Sequence, residues 1–171
     1  LCFAMSLISQ EESTRHSILS ILSTQKRIDM NYEEFLDGLS LRHFQPGEIT
    51  SQGKRQRGTV RNSLPPENKW EAIVTTLWVA DMARERLGFS LTITSAYRSP
   101  DYNKAVGGAV RSQHLANTAL DIIPSKGRVK QLYDQLIAMR QGGAFRGGVG
   151  IYSSFVHVDT RGGKNATWGK R

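Results

Sequence analysis

A histidine and an aspartate near the middle of the chain have the residue types and the spacing of metal ligands. His114 and Asp121 are separated by six residues, which span a predicted turn and lead into a predicted strand. Such a path can bring both side chains to one metal ion, with an imidazole nitrogen and a carboxylate oxygen as donors. An isolated pair at this spacing also arises by chance, so its weight depends on what lies around it.

A second histidine lies on a predicted strand further along the chain. Side chains alternate between the two faces of a strand, so Phe155, His157 and Asp159 share one face and the valines between them face the core. We therefore expect His157 to be presented on the surface and not buried. Two histidines and one carboxylate leave a fourth position open, which is the ligand set of a catalytic zinc ion. A surface histidine without a metal remains the alternative.

A third segment places an arginine where a predicted strand ends. In Ser95-Ala96-Tyr97-Arg98-Ser99-Pro100 the strand passes into a turn that carries Arg98. The residues alone leave open whether this cation takes part in chemistry or forms a structural ion pair.

The elements that must position these residues predict an α+β fold, a small, mostly antiparallel sheet flanked by helices. Alternating β-branched residues predict strands, and apolar residues three and four apart predict helices. The predicted strands are 90–95, 119–123 and a hairpin of 148–152 with 155–159, and the predicted helices are 6–29, 32–39, 66–87 and 127–141. Residues 43–66 are polar and interrupted by glycines, so we expect a long loop there. We expect a helical N-terminal extension at 1–45 and one domain at 46–171.

Composition excludes several classes of protein. The chain has 171 residues with 39% hydrophobic and 22% charged residues, which is the usage of an ordinary globular domain. Cys2 is its only cysteine, which excludes an internal disulfide framework and a zinc site built on paired cysteines. Its apolar runs are shorter than a membrane span requires, and its first residues lack the features of a secretory signal.

The net charge of +8 makes a polyanionic partner plausible, either a nucleic acid or a cell wall that carries teichoic acid. The positive residues cluster at 54–61 and again at 161–171. The first cluster contains no aromatic residue on which single strands would stack. We therefore expect a solvated basic loop and tail, and we do not expect nucleic acid as the partner.

Three motifs together resemble the LAS zinc peptidases. Ser112-x-His114-x-x-x-x-Ala119-x-Asp121 is similar to their SxHxxGxAxD signature, Ser95–Ser99 to their S[AG]YRS segment, and 147–162 to the closing motif of one branch. That branch is the M15-like, carboxypeptidase C-terminal-domain type found in phages and bacteria. The group includes D-Ala-D-Ala carboxypeptidases, phage endolysins and the hedgehog amino-terminal domain. The resemblance covers residues 45–170 and implies a hedgehog/DD-peptidase-like fold.

The resemblance also implies roles for individual residues. His114, Asp121 and His157 would hold one Zn²⁺ ion, and Arg98 would bind the substrate carbonyl or the developing oxyanion. Ser112 would be a hydroxyl close to the ligands or to the substrate. Candidates to line the substrate groove, each of which fits the core equally well, are Tyr97, Tyr102, Tyr152 and Trp168.

Two positions depart from the family pattern. Asn117 stands where the family has glycine, and asparagine tolerates a positive φ better than most residues, so we expect the turn to survive. Ser154 stands where many members carry an acidic general base, three residues before His157. Asp159 is the nearest replacement: it would either accept a proton as the base or orient a metal ligand.

The resemblance therefore implies a zinc-dependent peptidase that hydrolyses D-amino-acid-containing peptide bonds of bacterial peptidoglycan, as a carboxypeptidase or an endopeptidase. Such an enzyme would act at the cell wall or in the periplasm, and a phage particle could carry it. Residues 1–45 would dock it to a phage or envelope assembly or complete the fold. The alternative is a zinc-stabilised binding or structural module without turnover, which the missing acid at Ser154 keeps open.

Overall fold

The computed structural model describes residues 30–169, and the residues from Tyr32 onward form one compact unit. Its α-helices are α1 (Tyr32–Asp37), α2 (Pro46–Thr50), α3 (Val74–Leu87), α4 (Pro100–Ala105) and α5 (Val129–Gln141). Its strands are β1 (Gln56–Arg57), β2 (Val60–Arg61), β3 (Leu91–Ser95), β4 (Ala119–Pro124), β5 (Gly148–Ile151), β6 (Val156–Asp159) and β7 (Ala166–Gly169). Short 3-10 turns occupy Ser51–Lys54, Glu67–Lys69, Glu71–Ile73 and Gln113–Ala116.

The main sheet has five strands in the order β3-β4-β6-β5-β7, and β1 and β2 form a separate antiparallel pair. The strands pair antiparallel from β3 through β5. The last pair, β5 with β7, is parallel. The predicted α+β class is therefore confirmed, as is the predicted hairpin of β5 and β6. The sheet is mostly antiparallel, as expected, but it is mixed, because β7 runs along β5 in the same direction.

The two faces of the sheet have different roles. Leu120 and Ile122 of β4 and Val156 and Val158 of β6 are fully buried, and the helices α3 and α5 pack against these central strands. Because side chains alternate along a strand, Asp121 and the residue opposite it on β6 lie on the other face. The core thus occupies one face and leaves the other for polar side chains.

The predicted helix over 66–87 begins later than expected. Its first part forms 3-10 turns, in which Lys69 N–H donates to Pro66 O and Trp70 N–H to Glu67 O, and the regular α-helix starts at Val74. Its end is as predicted, since Gly88 follows in the left-handed conformation with φ of 66°.

The prediction of one long loop over 43–66 is wrong. Pro46 opens α2, where its fixed φ suits the first helical position, and the Glu48 side chain accepts the Gln45 N–H at 3.0 Å. A tight turn at Gly58, with φ of 59°, then joins β1 to β2. These elements are too short to produce a detectable periodicity.

The basic segment after residue 160 is not only a solvated tail, as we expected. Residues Ala166–Gly169 form β7 and extend the sheet. Arg140 of α5 fixes this strand by donating to Ala166 O at 2.6 Å and to the Thr167 hydroxyl at 2.7 Å. The strand is four residues long, and its pairing with β5 is invisible to local patterning.

The predicted helix over 32–39 is present as α1, Tyr32–Asp37, and its aromatic side chains pack around Trp70. The rings of Tyr32 and Phe35 lie 5.4 Å and 5.6 Å from the Trp70 ring. The predicted helix over 6–29 lies outside the described residues, and the division into 1–45 and 46–171 stays a prediction. Within residues 30–169, no helix has the length and apolarity to cross a membrane.

Candidate metal centre

Five residues form one row across the sheet, each on a different strand. The pairing registers place Ser95 opposite Asp121, Asp121 opposite His157, His157 opposite Gly150 and Gly150 opposite Trp168. Strand pairing therefore brings a carboxylate and an imidazole side by side, although 36 residues separate them in sequence.

His114 reaches the same place from a 3-10 turn. The Ser112 hydroxyl accepts the His114 N–H at 3.3 Å at the start of this turn, and Asn117 ends it in the left-handed conformation, with φ of 58°. The expectation that asparagine preserves the turn is therefore confirmed. Nδ1 of His114 lies 2.6 Å from the carbonyl oxygen of Ala96, so a proton on Nδ1 leaves Nε2 unprotonated and able to bind a metal.

The three predicted ligands converge. One donor atom from each of His114, Asp121 and His157 lies within 4.8 Å of the others. Oδ1 of Asp121 is 3.2 Å from Nε2 of His114 and 2.8 Å from Nδ1 of His157. Our expectation that His157 is exposed is wrong: it is 8% exposed, because the Trp168 ring of β7 lies 5.2 Å from its imidazole.

Asp159 is fully buried and surrounded by donors. Its Oδ2 lies 3.1 Å from Nε2 of His157, and its carboxylate accepts both Nε and a terminal nitrogen of Arg161, at 2.7 Å and 2.6 Å. The Gly148 N–H donates to its Oδ1 at 3.1 Å. These contacts fix the side chain beside the ring nitrogen of His157 that faces away from Asp121.

Arg98 lies against the cluster. Its terminal nitrogen NH2 is 2.5 Å from Oδ2 of Asp121, and its Nε donates to the Ser95 hydroxyl at 2.9 Å. The ion pair that the sequence left open is therefore present, and it occupies the oxygen of Asp121 that the histidines do not contact. The other terminal nitrogen of Arg98 remains for a substrate.

Charge and burial act in opposite directions on the cluster. Burial raises the pKa of Asp121, but the contacts of its carboxylate with His114 and His157 outweigh that effect and hold the pKa well below its usual range. Burial lowers the pKa of His114, and its contacts with Asp121 offset this only in part. An ionised Asp121 and a neutral His114 are the protonation states that a metal requires of these two ligands. For His157, burial lowers the pKa but the contacts with Asp121 and Asp159 outweigh it and raise the pKa, so metal binding would displace a proton from this ring.

The donor set fits a zinc ion. Two imidazoles and one carboxylate are usual zinc ligands, and three protein ligands leave a position for water or substrate. Each histidine has its second ring nitrogen engaged, His114 by a backbone carbonyl and His157 by Asp159. Such contacts orient the rings of metal-binding histidines.

The cluster lies where two open cavities meet. The cavities have volumes of about 340 and 480 Å³ and share Arg98, Val106, Asp121 and Phe155, so we treat them as one groove with two arms. Tyr97 and Tyr102 line the first, the Tyr97 arm. Residues of the second, the Trp168 arm, include Ser112, His114, Tyr152, His157 and Trp168. Every residue singled out as a substrate contact thus borders the groove.

Tyr152 and Trp168 form a hydrogen-bonded pair in the Trp168 arm. Trp168 Nε1 donates to the Tyr152 hydroxyl oxygen at 2.9 Å. An indole nitrogen is only a donor, so the phenolic proton of Tyr152 remains for another acceptor. The Tyr152 ring stacks on Phe155 at 4.2 Å between centroids, and its side chain is 41% exposed.

Ser154, which replaces the usual acidic residue, borders a different cavity. That cavity is lined by residues 123–127, 129 and 130 together with Ser153 and Ser154, and it includes none of the three candidate ligands. Among residues 30–169, Asp121 is the only carboxylate that lines either arm of the groove.

Sequence reasoning missed three cations at the site. Arg161 pairs with Asp159 two residues before it, Arg55 borders the Tyr97 arm, and Arg111 borders the Trp168 arm. The first was detectable, because Asp159 and Arg161 lie two and four positions after His157. The second belongs to a segment without periodicity, and its position depends on long-range packing.

Comparison with known proteins agrees with this geometry. No curated protein matches the sequence. A family model described as Peptidase M15 matches residues 42–159, which include the three candidate ligands, Arg98 and Asp159. Peptidases of this family depend on zinc, and the buried cluster has the donors for that ion. With more than half of its length matched, this chain belongs to the peptidase M15 family.

Proposed function

We propose that the protein is a Zn²⁺-dependent hydrolase of D-amino-acid-containing peptide bonds in bacterial peptidoglycan. The observation that carries this proposal is the buried His114, Asp121 and His157 cluster, which lies where the two arms of the groove meet. A cluster of metal-binding side chains in an open groove is the arrangement of a metal-assisted hydrolase. The hedgehog/DD-peptidase type of fold belongs to the same proposal.

The ion would be held by Nε2 of His114, by the Asp121 carboxylate and by Nδ1 of His157. Zinc in such a site supplies Lewis-acid polarisation of a carbonyl and activation of water near neutral pH. Asp159 accepts from Nε2 of His157 and is therefore assigned as a positioning residue. Since Arg161 and Gly148 already donate to the same carboxylate, the role of general base is the less favoured of its two expected roles.

Two side chains of the groove are placed to bind the scissile amide. Arg98 offers a terminal nitrogen, and Tyr152 offers its phenolic proton, which Trp168 leaves free. Both would donate to the carbonyl oxygen as negative charge develops there, which lowers the barrier to water attack. The attacking water supplies the oxygen of the new C–O bond and the proton for the leaving amine. Tyr152 therefore keeps its own proton throughout.

The substrate class rests on the openness and the charge of the groove. Both arms are open to solvent, so a peptide chain can enter them, and both are lined by arginines. This positive lining suits the anionic peptides of a cell wall. The protein would act at the bacterial cell wall or in the periplasm, either as a bacterial enzyme or as a component of a phage particle. Docking of residues 1–45 to a phage or envelope assembly belongs to this proposal.

A non-catalytic module of the same fold is the second candidate. It is favoured by one observation: among the described residues, no carboxylate other than Asp121 lines the groove. Such a module would bind zinc and cell wall without releasing fragments.

Mass spectrometry of fragments released from purified peptidoglycan distinguishes these candidates. The protein is incubated as purified, with a chelator, and with the chelator followed by added zinc. We expect fragments with new free amines, loss of release with chelator and recovery with zinc. Protein that contains zinc, binds the wall and releases nothing would be the non-catalytic module.

A further inference from the structure

We propose that Arg55 and Arg111 bind carboxylate groups of the substrate, one in each arm of the groove, so that the preferred peptide is acidic on both sides of the metal centre. This inference rests on the proposed function and specifies the substrate class of the same site.

Of the four arginines that line the groove, two are already neutralised. Arg98 pairs with Asp121, and Arg161 pairs with Asp159. Arg55 borders the Tyr97 arm and Arg111 borders the Trp168 arm, and neither pairs with a carboxylate of residues 30–169. Each arm therefore presents one uncompensated guanidinium.

Arg55 is held in place by a buried side chain. Its Nε donates to the Gln52 side-chain oxygen at 2.9 Å. Gln52 is itself buried and donates to the carbonyl oxygens of Glu48 and Ile93 at 3.1 Å and 3.2 Å. This support leaves the two terminal nitrogens of Arg55 unused, in the planar arrangement that binds a carboxylate through two hydrogen bonds.

Arg111 is exposed at the rim of the Trp168 arm. It lies in the connection between α4 and the 3-10 turn that carries His114, one residue before Ser112. The positive charge of Arg111 would therefore attract a substrate carboxylate that is bound in that arm, next to the metal centre.

The spacing of the cations favours a peptide over a continuous polyanion. Between the arms lie the neutralised Arg98 and Asp121 pair and the apolar Val106 and Phe155. A polyphosphate would place charge along this central segment, where the only guanidinium shared by the two arms among the described residues is that of Arg98, whose charge Asp121 already compensates. A peptide carries its carboxylates at separate positions and passes an uncharged amide through the centre.

Two matched substrate pairs test the assignment. Peptidoglycan stem peptides are prepared with D-glutamate or D-isoglutamine, and with a free or an amidated terminal carboxylate. Steady-state cleavage is measured for the zinc-loaded wild type and for Arg55→Gln, Arg111→Gln and the control Arg57→Gln. The control removes the same charge from the neighbouring β1, outside both arms.

For an acidic substrate we expect KM to rise about tenfold in the arginine variant that faces the carboxylate, with kcat little changed. That variant should no longer distinguish the acid from its amide, whereas Arg57→Gln should distinguish them as the wild type does. Equal weakening of acid and amide by the Arg55 and Arg111 variants, or no weakening of either, would overturn the proposal.

Equilibrium binding separates this inference from the proposed function. Isothermal titration of the zinc-loaded protein with hydrolysis-resistant analogues of the same peptides measures affinity without turnover. Tighter binding of the acid forms, lost in Arg55→Gln and Arg111→Gln, would support the carboxylate sites even if no bond is cut. Equal wild-type affinity for acid and amide would reject them even in an active enzyme.

Discussion

Asp121 and His157 are direct partners across β4 and β6, and Oδ1 of the carboxylate lies 2.8 Å from Nδ1 of the imidazole. The contact is a property of the sheet itself, because the two residues face each other in a regular antiparallel register. Neighbouring cross-strand side chains lie close together in such a pair. The site is therefore as rigid as the strands that hold it.

Asp121→Asn should abolish zinc binding. The amide removes the negative charge on which both histidines and Arg98 converge, so we expect zinc affinity to fall more than about 100-fold. Metal content after dialysis measures this loss. Asp101→Asn, at an exposed position in the first turn of α4, should keep its zinc, and retention of zinc by Asp121→Asn would exclude the carboxylate as a ligand.

Asp159→Asn distinguishes the two roles considered for this carboxylate. A positioning role predicts a decrease of about 10–100-fold in zinc affinity, because the orientation of His157 is lost. A general base predicts loss of hydrolysis with zinc affinity unchanged. Competition with a chelator measures affinity separately from activity. Asp134→Asn, which breaks only the exposed pair with Lys130, should change neither quantity.

Tyr152→Phe should lower kcat for a peptide substrate by about 100-fold, the effect of losing one hydrogen-bond donor to a developing oxyanion. The ring and its stacking on Phe155 are kept, so KM and zinc content should stay near their wild-type values. Tyr133→Phe, at a buried position of α5 itself, is the control for loss of a phenol. Unchanged kcat in Tyr152→Phe would remove this residue from the reaction.

Substitutions at Asn117 should rank by backbone conformation. Asn117→Ala places a residue with a β-carbon in the left-handed region, at a cost of about 1 kcal/mol, and also loses the hydrogen bond to the Lys69 carbonyl at 2.9 Å, worth about 1 kcal/mol. Asn117→Gly loses only the hydrogen bond. Urea unfolding should therefore give wild type as the most stable and alanine as the least, and an alanine variant above glycine would contradict the backbone argument.

Stability should fall in strong alkali because of Tyr32. Burial raises the pKa of Tyr32 from 10.0 to about 12. Above about pH 10 the unfolded chain loses this proton more readily than the folded protein, so the contribution is complete below that pH and disappears as pH rises through about 12. The unfolding free energies measured at about pH 9 and pH 11.5 should differ less for Tyr32→Phe than for the wild type, and an equal decrease in both proteins would exclude Tyr32 as the cause.

The convergence of the three candidate ligands could be predicted because their signals are local. His114 and Asp121 lie either side of one turn, and the alternation along β6 fixes the face of His157. The burial of His157 could not be predicted in the same way. It depends on Trp168, whose strand pairs with β5 in parallel, so the covering side chain comes from a long-range contact without a sequence signature.

The surroundings of Asp159 and Arg55 also depend on long-range contacts that the sequence does not predict. The position of Asp159 beside His157 follows from strand alternation, but its complete burial depends on Arg161 and Gly148 closing over it. Arg55 gains its orientation from Gln52, which is fixed in turn by the Ile93 carbonyl of β3. Such support is built by tertiary packing, which composition and periodicity do not report.

The row from Ser95 to Trp168 also restricts how this chain can change in length. A strand has a period of two, so the insertion or deletion of a single residue within β4 or β6 would turn Asp121 or His157 toward the helices and bring a valine or isoleucine to the groove. A single insertion or deletion in either strand would therefore remove the site in one step. Length variation is tolerated in connections such as Ser153–Ser154, where an added residue leaves the register of both strands intact.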